Sequence, residues 1–256
     1  MEQLTDKSAK RQIVDVIAIV LSILLAFAID AWWDERKERA EEREVLQSLY
    51  VEFKSNRDEA ALVVKVHEVA VHSVATLMKM SGDEILALST DEVEKQLRFF
   101  ASPRTFDAVR GSVDALTSSG KLGILRSREL REALTTFMNI IEDAAEDRDY
   151  MSRTSMTVWN EVARNGGPWH KTIGDLTPED CVGPRPHRNC YINDQLVYLP
   201  SATPQDLLRL RNNKVLMGYV NQNKINAVRY ASEIRQAEIQ IEIILRLLEE
   251  NLRRAM

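Results

Sequence analysis

A continuous apolar stretch near the start of the chain constrains the fold more than any other feature. The stretch Ile13–Trp33 holds 21 residues, and within it Val16–Ile29 is apolar except at Ser22. At a helical rise of about 1.5 Å per residue it spans about 30 Å, the thickness of a bilayer's hydrocarbon core. A buried helix of a soluble protein is not normally apolar on every face, as Val16–Ile29 is apart from Ser22. The stretch therefore predicts a single transmembrane helix.

The ends of the stretch carry residues that suit a membrane surface. Trp32 and Trp33 lie where an aromatic belt forms, so we predict that they anchor the helix at the interface. Asp15 and Asp30 lie near the two ends, where a carboxylate reaches headgroups or water. The lipid bilayer is accordingly the first predicted partner of this protein.

Small and polar side chains share one face of the predicted membrane helix. Small residues at helical spacing let a second helix approach closely, which predicts a homo-oligomer or a membrane-protein partner. The alternative is that small residues are simply common in membrane helices and that Asp15 pairs with Arg11 one turn earlier. Spacings of three and four residues place the following five residues in this stripe: Asp15, Ala18, Ser22, Ala26 and Asp30.

The charges that flank the stretch bear on its orientation. Lys7, Lys10 and Arg11 precede it, but basic residues also follow it, interleaved with acidic ones, so a count of positive charges is ambiguous. A basic region before an apolar run resembles an export signal. We expect residues 1–12 in the cytoplasm, residues 13–33 in the bacterial inner membrane and residues 34–256 in the periplasm. The competing interpretation is a signal peptide cleaved after the A-x-A motif Ala26-Phe27-Ala28.

The composition of the whole chain favours an all-α protein. Charged residues make up 29% and aromatic residues 6%, while glycine and proline are scarce, and this combination is typical of helical proteins. We therefore predict an elongated, all-α periplasmic bundle. The net charge of −5 argues against nucleic acid as a partner, because nucleic-acid binding requires a basic face.

The first long helix is predicted to continue from the anchor to about Met80, since no glycine precedes Gly82 and no proline precedes Pro103. A kink near Asp34–Glu38 is the alternative. Gly82 is expected to end this helix. A heptad-like seam on it predicts packing in a bundle and consists of Leu46, Leu49, Phe53, Asn56, Ala60, Val63, His67, Ala70, Val74 and Leu77.

Capping residues predict where the later helices begin. Ser89 and Glu92 are spaced as a capping box, and Phe106–Ser118 has a helical apolar period. Ser127 is expected to cap a helix that runs to about Arg164. Thr203-Pro204 is expected to start one final helix that runs to about Arg253. The middle of that helix is rich in asparagine, so we expect it to be partly solvated or to meet a polar partner.

Residues 165–203 interrupt the helical pattern. They contain five of the seven prolines and four of the nine glycines, and a helix does not persist through such a stretch. Cys181 and Cys190 lie within it, and in an exported loop two such cysteines most simply form a disulfide. The alternative is a metal site that adds His187 and His170, although the spacing matches no standard zinc pattern.

The sequence carries no catalytic signature. Ser119-Gly120-Lys121 lacks the upstream glycine of a phosphate-binding loop, and no nucleophile elbow or GxGxxG is present. His67 lies on the helical seam, where a hydrogen-bonded core histidine is the ordinary interpretation. The acidic stripe that includes Glu142 and Glu146 is read as a solvated face. We therefore predict no enzyme activity, no metal and no cofactor.

Two stretches resemble a family of uncharacterised bacterial single-pass membrane proteins. In that family the anchor ends in an acidic or amide residue and tryptophan, and a charged helix with a Leu-x-x-Leu step follows. The run LLAFAIDAWWDERKERAEEREVLQSLYVEFKSNRDE matches at Asp30, Trp32, Trp33, Leu46 and Leu49, and LTSSGKLGILRSRELREAL is similar to a later Ser-Gly-Lys-Leu segment. The resemblance implies an N-terminal anchor and a helical periplasmic region, and it implies no activity.

Two functions are compatible with these features. The first is a structural or assembly protein that acts through helix–helix contacts, as a homo-oligomer or as a subunit of an envelope complex. The second is a periplasmic ligand-sensing bundle, which would signal through a partner because 12 cytoplasmic residues hold no signalling module.

Overall fold

The computed structural model describes residues 2–100, 104–166 and 202–254, with side chains from Val20 onward. In these ranges every regular element is helical, so the predicted all-α class is confirmed. Most of the predicted irregular insertion, including Cys181 and Cys190, lies outside the described residues. The elements are α1 (Glu2–Lys79), α2 (Gly82–Leu86), α3 (Thr90–Arg98), α4 (Gly111–Ser118), a 3-10 helix (Lys121–Ile124), α5 (Arg128–Arg164), α6 (Pro204–Asn212) and α7 (Lys214–Arg254).

Helix α1 is one uninterrupted helix of 78 residues, so the predicted continuation from the anchor is confirmed. By length and composition, one helix among the described residues is able to cross a membrane, and it is α1. The helix ends at Lys79, and Gly82 begins α2, whereas we expected Gly82 to end α1. The reason is a capping box, in which the Ser81 side chain accepts from the Glu84 N–H and the Glu84 carboxylate accepts from the Ser81 N–H at 2.6 Å.

The chain divides into two compact units. The first comprises Met1–Phe53, Arg110–Glu132 and Ile244–Met256, and the second comprises Lys54–Val109 and Ala133–Ile243. In the first unit, side chains of α1 bond to other parts of the same unit. The Tyr50 hydroxyl donates to Glu249 Oε1 at 3.2 Å, and Glu52 Oε2 accepts from the Ser112 N–H at 2.8 Å. Glu52 thereby caps the N-terminus of α4, whose own N-cap residue, Arg110, makes no side-chain capping hydrogen bond.

The second unit contains a core drawn from α1, α2, α3, α5, α6 and α7. The short helices contribute buried residues to this core, as the long helices do. At most 5% of the surface is exposed at Ile85 of α2, at Leu97 of α3 and at Leu207 and Leu210 of α6. The predicted seam of α1 contributes Val74 and Leu77 to this core. Its buried members are Val74, Leu77, Ile85, Val93, Leu97, Phe100, Val158, Val162, Ala202, Leu207, Leu210, Leu216, Met217 and Val220.

The predicted helix over Phe106–Ser118 is wrong in its first part. Residues 104–110 form no regular secondary structure, and α4 begins only at Gly111. Backbone groups of this irregular segment bond to side chains of long helices. Asn56 donates to the Val109 carbonyl at 2.8 Å and accepts from the Val109 N–H at 2.7 Å. The Tyr230 hydroxyl accepts from the Phe106 N–H at 2.7 Å.

The single final helix that we predicted is divided at Asn213. The capping box at Thr203 is confirmed, but α6 ends at Asn212 and α7 starts at Lys214. Asn213 has an extended conformation with ψ of 105°, and its side-chain oxygen accepts from the N–H groups of Val215 and Leu216 at 3.0 and 3.1 Å. Asn213 therefore acts as the cap of α7, which explains why the helix restarts there.

Candidate functional site

The predicted anchor is exposed along its whole described length. From Val20 to Trp33 the large apolar side chains expose 49–67% of their surface, so the rest of the described chain does not cover them. Within the predicted stripe, Ser22, Ala26 and Asp30 are exposed. Asp15 and Ala18 belong to the same continuous helix, but their side chains lie outside the described part. This exposed surface is available to lipid or to another helix.

The two anchor tryptophans form a small aromatic and cationic group. The ring centroids of Trp32 and Trp33 are 6.3 Å apart with a tilt of 52°. The Arg36 guanidinium lies 5.6 Å from the centroid of the Trp32 ring, in cation–π geometry. Both tryptophans are exposed, at 56% and 61%. An amphipathic ring next to a guanidinium suits the boundary between apolar and polar surroundings.

Cys181 and Cys190 lie outside the described residues, and so do His170 and His187. The disulfide and its metal alternative therefore stay predictions. Within the described ranges, no group of three or more His, Cys, Asp or Glu side chains is arranged to hold a metal ion.

The asparagine-rich middle of α7 meets a polar partner in the second unit, as one of our two expectations stated. Asn223 is fully buried, and its Nδ2 donates to Ser155 Oγ of α5 at 2.8 Å. The same amide nitrogen lies 3.1 Å from Thr154 Oγ1 and 3.3 Å from the Met151 carbonyl. These bonds fix the register of α7 against α5.

His67 is buried in the second unit and hydrogen-bonded, as we predicted. Its Nε2 lies 2.8 Å from the Arg104 carbonyl oxygen, which only accepts, so Nε2 carries the proton. Its ring meets the Tyr230 ring edge-on, with centroids 5.7 Å apart. Burial lowers the pKa of His67, the Arg104 carbonyl opposes this, and the charges of Lys224 and Arg104 lower it further. His67 is therefore neutral near pH 7, with a bare lone pair on Nδ1.

Lys224 of α7 is the least expected side chain of this region. Only 6% of its surface is exposed, and its Nζ makes no hydrogen bond. Burial lowers the pKa of Lys224 to about 8, so most of the amine still carries a charge at pH 7. Lysine is almost never fully buried without a partner, because the ammonium loses its hydration.

Arg104 completes this group. Its Nη2 pairs with Glu59 Oε1 at 3.2 Å, but its buried Nε has no hydrogen-bond partner. We call His67, Arg104 and Lys224 the His67 cluster. His67 lies on α1, Arg104 in the irregular segment 104–110 and Lys224 on α7, and each has a buried nitrogen without a hydrogen-bond partner: Nδ1 of His67, Nε of Arg104 and Nζ of Lys224.

Sequence reasoning missed Lys224, although the signal was present. Val220, Lys224, Ala227 and Ala231 follow steps of four, three and four, which places the lysine on the inward row of α7. A lysine within such a row is ordinarily read as a solvated residue at the edge of the face, and for that reason it did not stand out. The irregular segment 104–110, which contains Arg104, has no comparable sequence signal.

Comparison of this chain with protein-family models, with curated proteins and with solved structures gives no match. The resemblance of its two stretches to a membrane-protein family therefore stays a prediction, and function has to be argued from the chain's own geometry.

Proposed function

We propose that this protein is a membrane-anchored structural or assembly protein. It acts through helix–helix contacts, as a homo-oligomer or as a subunit of an envelope complex, and the proposal includes no catalysis and no cofactor. The observation that carries it is the exposed apolar anchor within α1, whose large side chains from Val20 to Trp33 expose about half or more of their surface. The same helix continues without a break from the anchor to Lys79, so the anchor and the first helix of the domain are one element.

Exposed apolar pairs on α7 in the second unit also support contacts with a partner. Val215 and Tyr219 are four residues apart and expose 61% and 41% of their surface. Ile225 and Val228 are three residues apart and expose 48% and 52%. Residues at these spacings are neighbours on a helix, so each pair forms a small apolar patch and not an isolated side chain.

The proposed location is the bacterial inner membrane, with residues 1–12 in the cytoplasm and residues 34–256 in the periplasm. Lys7, Lys10 and Arg11 before an apolar run support this orientation, and so does a pair of cysteines in a loop rich in proline and glycine. A reporter active only in the periplasm, fused after Met256, is expected to be active. The same fusion without residues 1–33 is the control and is expected to be inactive. Activity of a cytoplasm-only reporter on the full chain would contradict the topology.

Purification of the tagged full chain from native membranes in a mild detergent tests the assembly function. The expected result is a particle larger than one chain, composed of either several copies or a reproducible second protein. Mass measurement by light scattering and identification of the components by mass spectrometry distinguish these two forms. A monodisperse single chain without a protein partner, in several detergents, would overturn the proposal.

Ligand sensing is a second candidate function, and one observation favours it. The buried ammonium of Lys224 has no hydrogen-bond partner within the described chain, and such a group is more easily understood as part of a binding site than as part of a core. A small molecule that co-purifies with the protein would favour sensing over a purely structural role.

A further inference from the structure

Side chains of two long helices hold the irregular segment 104–110 in the second unit. The Tyr230 hydroxyl of α7 accepts from the Phe106 N–H at 2.7 Å. Asn56 of α1 donates to the Val109 carbonyl at 2.8 Å and accepts from the Val109 N–H at 2.7 Å. A helix makes its backbone bonds within itself, so these bonds break without the unwinding of any helix. The segment is therefore a unit that opens locally while the helices around it stay folded.

His67 of α1 holds the same segment, through the bond of 2.8 Å between its Nε2 and the Arg104 carbonyl oxygen. It exposes 1% of its surface, and its Nδ1 has no hydrogen-bond partner among the described residues. Protonation would add a positive charge and a second N–H, at Nδ1, in this buried position. A buried charge and an unpaired buried donor both cost free energy, and water relieves both costs once the segment opens.

The charges that act on His67 add to this cost. Those of Lys224 and Arg104 are positive and disfavour a further positive charge on the ring. Burial raises the pKa of Tyr230, whose ring meets that of His67, to about 12, so its hydroxyl stays neutral. The charged and titratable groups around His67 and the Tyr230 ring are Lys224 and Tyr230 of α7, Arg104 and Asp107 of the irregular segment, Glu59 of α1 and Arg148 of α5.

We propose that the irregular segment is an acid-sensitive latch, which protonation of His67 releases from α1 and α7. Burial keeps the pKa of His67 below its ordinary value of 6.5, so the closed form binds fewer protons than the open form just below pH 6.5. The closed form therefore keeps its full stability above pH 6.5 and loses stability as the pH falls below this value. The inference goes beyond the assembly proposal, because the latch opens within one chain and needs no partner.

Amide hydrogen exchange of the detergent-solubilised full chain tests the latch. The Phe106 and Val109 N–H groups are the reporters, since side chains hold both. Their protection, corrected for the intrinsic exchange rate at each pH, is expected to fall about tenfold between about pH 7.5 and about pH 5. The protection of Ile234, in the core-facing row of α7, is expected to stay constant. Constant protection of Phe106 and Val109, or an equal fall at Ile234, would overturn the latch.

A pair of histidine variants of α1 assigns the response to one ring. His67→Gln keeps a side-chain N–H donor and removes the titration, so the protection of Phe106 and Val109 is expected to be independent of pH. His72→Gln replaces an exposed histidine of the same helix and is expected to respond as the wild type does. A wild-type response of His67→Gln would overturn the role of His67. Titration of the His67 ring in the wild type, followed by nuclear magnetic resonance, tests the same role without a variant, and a midpoint at or above pH 6.5 would overturn it.

Discussion

Buried polar side chains of α1 show how single residues determine the path of the chain. Glu42 Oε1 accepts from the Arg126 N–H at 2.8 Å, and Glu52 Oε2 accepts from the Ser112 N–H. Further along α1, Asn56 pairs with the backbone of Val109, and His67 pairs with the Arg104 carbonyl. Each of these polar side chains is buried, and each satisfies a backbone group of the chain between α3 and α5. At these positions the polar side chains of α1 determine the path of the backbone that they bond, and they contribute to stability.

Replacement of Asn56 tests this role. Asn56→Ala removes a donor and an acceptor from Val109 and leaves both of its backbone groups without their partner. We expect a loss of about 2 kcal/mol in the free energy of unfolding. Urea unfolding followed by circular dichroism in detergent gives the measurement. Asn221→Ala, an exposed asparagine of α7, is the control and is expected to change stability little. Equal effects of the two variants would contradict the role of Asn56.

The burial of Lys224 predicts a specific dependence of stability on pH. The pKa of this amine is about 8 in the folded state, against an ordinary lysine value of 10.5, so between these values the folded state binds fewer protons than the unfolded state. Stability therefore rises with pH across this window through this group. A difference of this size corresponds to about 3 kcal/mol.

The measurement compares wild type and Lys224→Met in chloride buffer from pH 7 to pH 10.5. The variant is expected to be the more stable protein at pH 7, and its advantage is expected to shrink as the pH rises above about 8. Lys214→Met is expected to differ from wild type by a constant amount over the same range. A constant advantage of Lys224→Met would show that the lysine is not buried in its charged form.

At the scale of elements, helix starts that carry a predicted capping residue and the long periodic seam of α1 could be read from the sequence. The capping boxes at Ser89 and Thr203 and the cap at Ser127 could be read from the sequence because each depends on residues within three positions. The seam of α1 could be read because the period of 3.6 residues repeats over many turns. The class of the fold and the rows of the core were therefore predictable.

Some of the parts that were missed depend on residues far apart in the sequence. The segment before α4 has an apolar helical period, but Asn56 and Tyr230, which lie 53 and 124 residues away from their partners, bond to its backbone, and it is not helical. The contact of His67 with the Arg104 carbonyl, 37 residues away, was missed for the same reason. Contacts of this kind leave no periodic signal in a single sequence.

The division between α6 and α7 predicts the effect of replacing its capping residue. Asn213→Ala removes the acceptor of the Val215 and Leu216 N–H groups and the bond of Nδ2 to Asn165 Oδ1 at 2.9 Å. We expect a loss of about 1–2 kcal/mol, as for other N-cap replacements. Chemical unfolding measures it, with Asn212→Ala as the neighbouring exposed control. A neutral Asn213→Ala variant would show that α7 starts there for another reason.

At the scale of the whole molecule, the anchor and the helical domain differ in how their apolar groups are covered. The apolar groups of the second unit's core are covered within the chain, whereas those of the anchor are covered by nothing in the described residues. Small side chains let a second helix approach closely, so the stripe that carries them is the face of the anchor at which we expect a protein partner.

Variants of this stripe test whether assembly runs through the membrane. Ser22→Leu and Ala26→Leu fill the space that a second helix would occupy, so each is expected to shift the detergent-solubilised complex towards the single chain. Leu24→Ala changes a residue of α1 outside the stripe that is 58% exposed, and it is expected to keep the wild-type size. Asp30→Ala is expected to weaken association if the carboxylate lies within the contact, because it would then lose a partner across the interface.

Membrane insertion of each variant is checked first by carbonate extraction, and size is measured by light scattering. If every variant keeps the wild-type size, the stripe reflects composition alone and assembly runs through the exported helices.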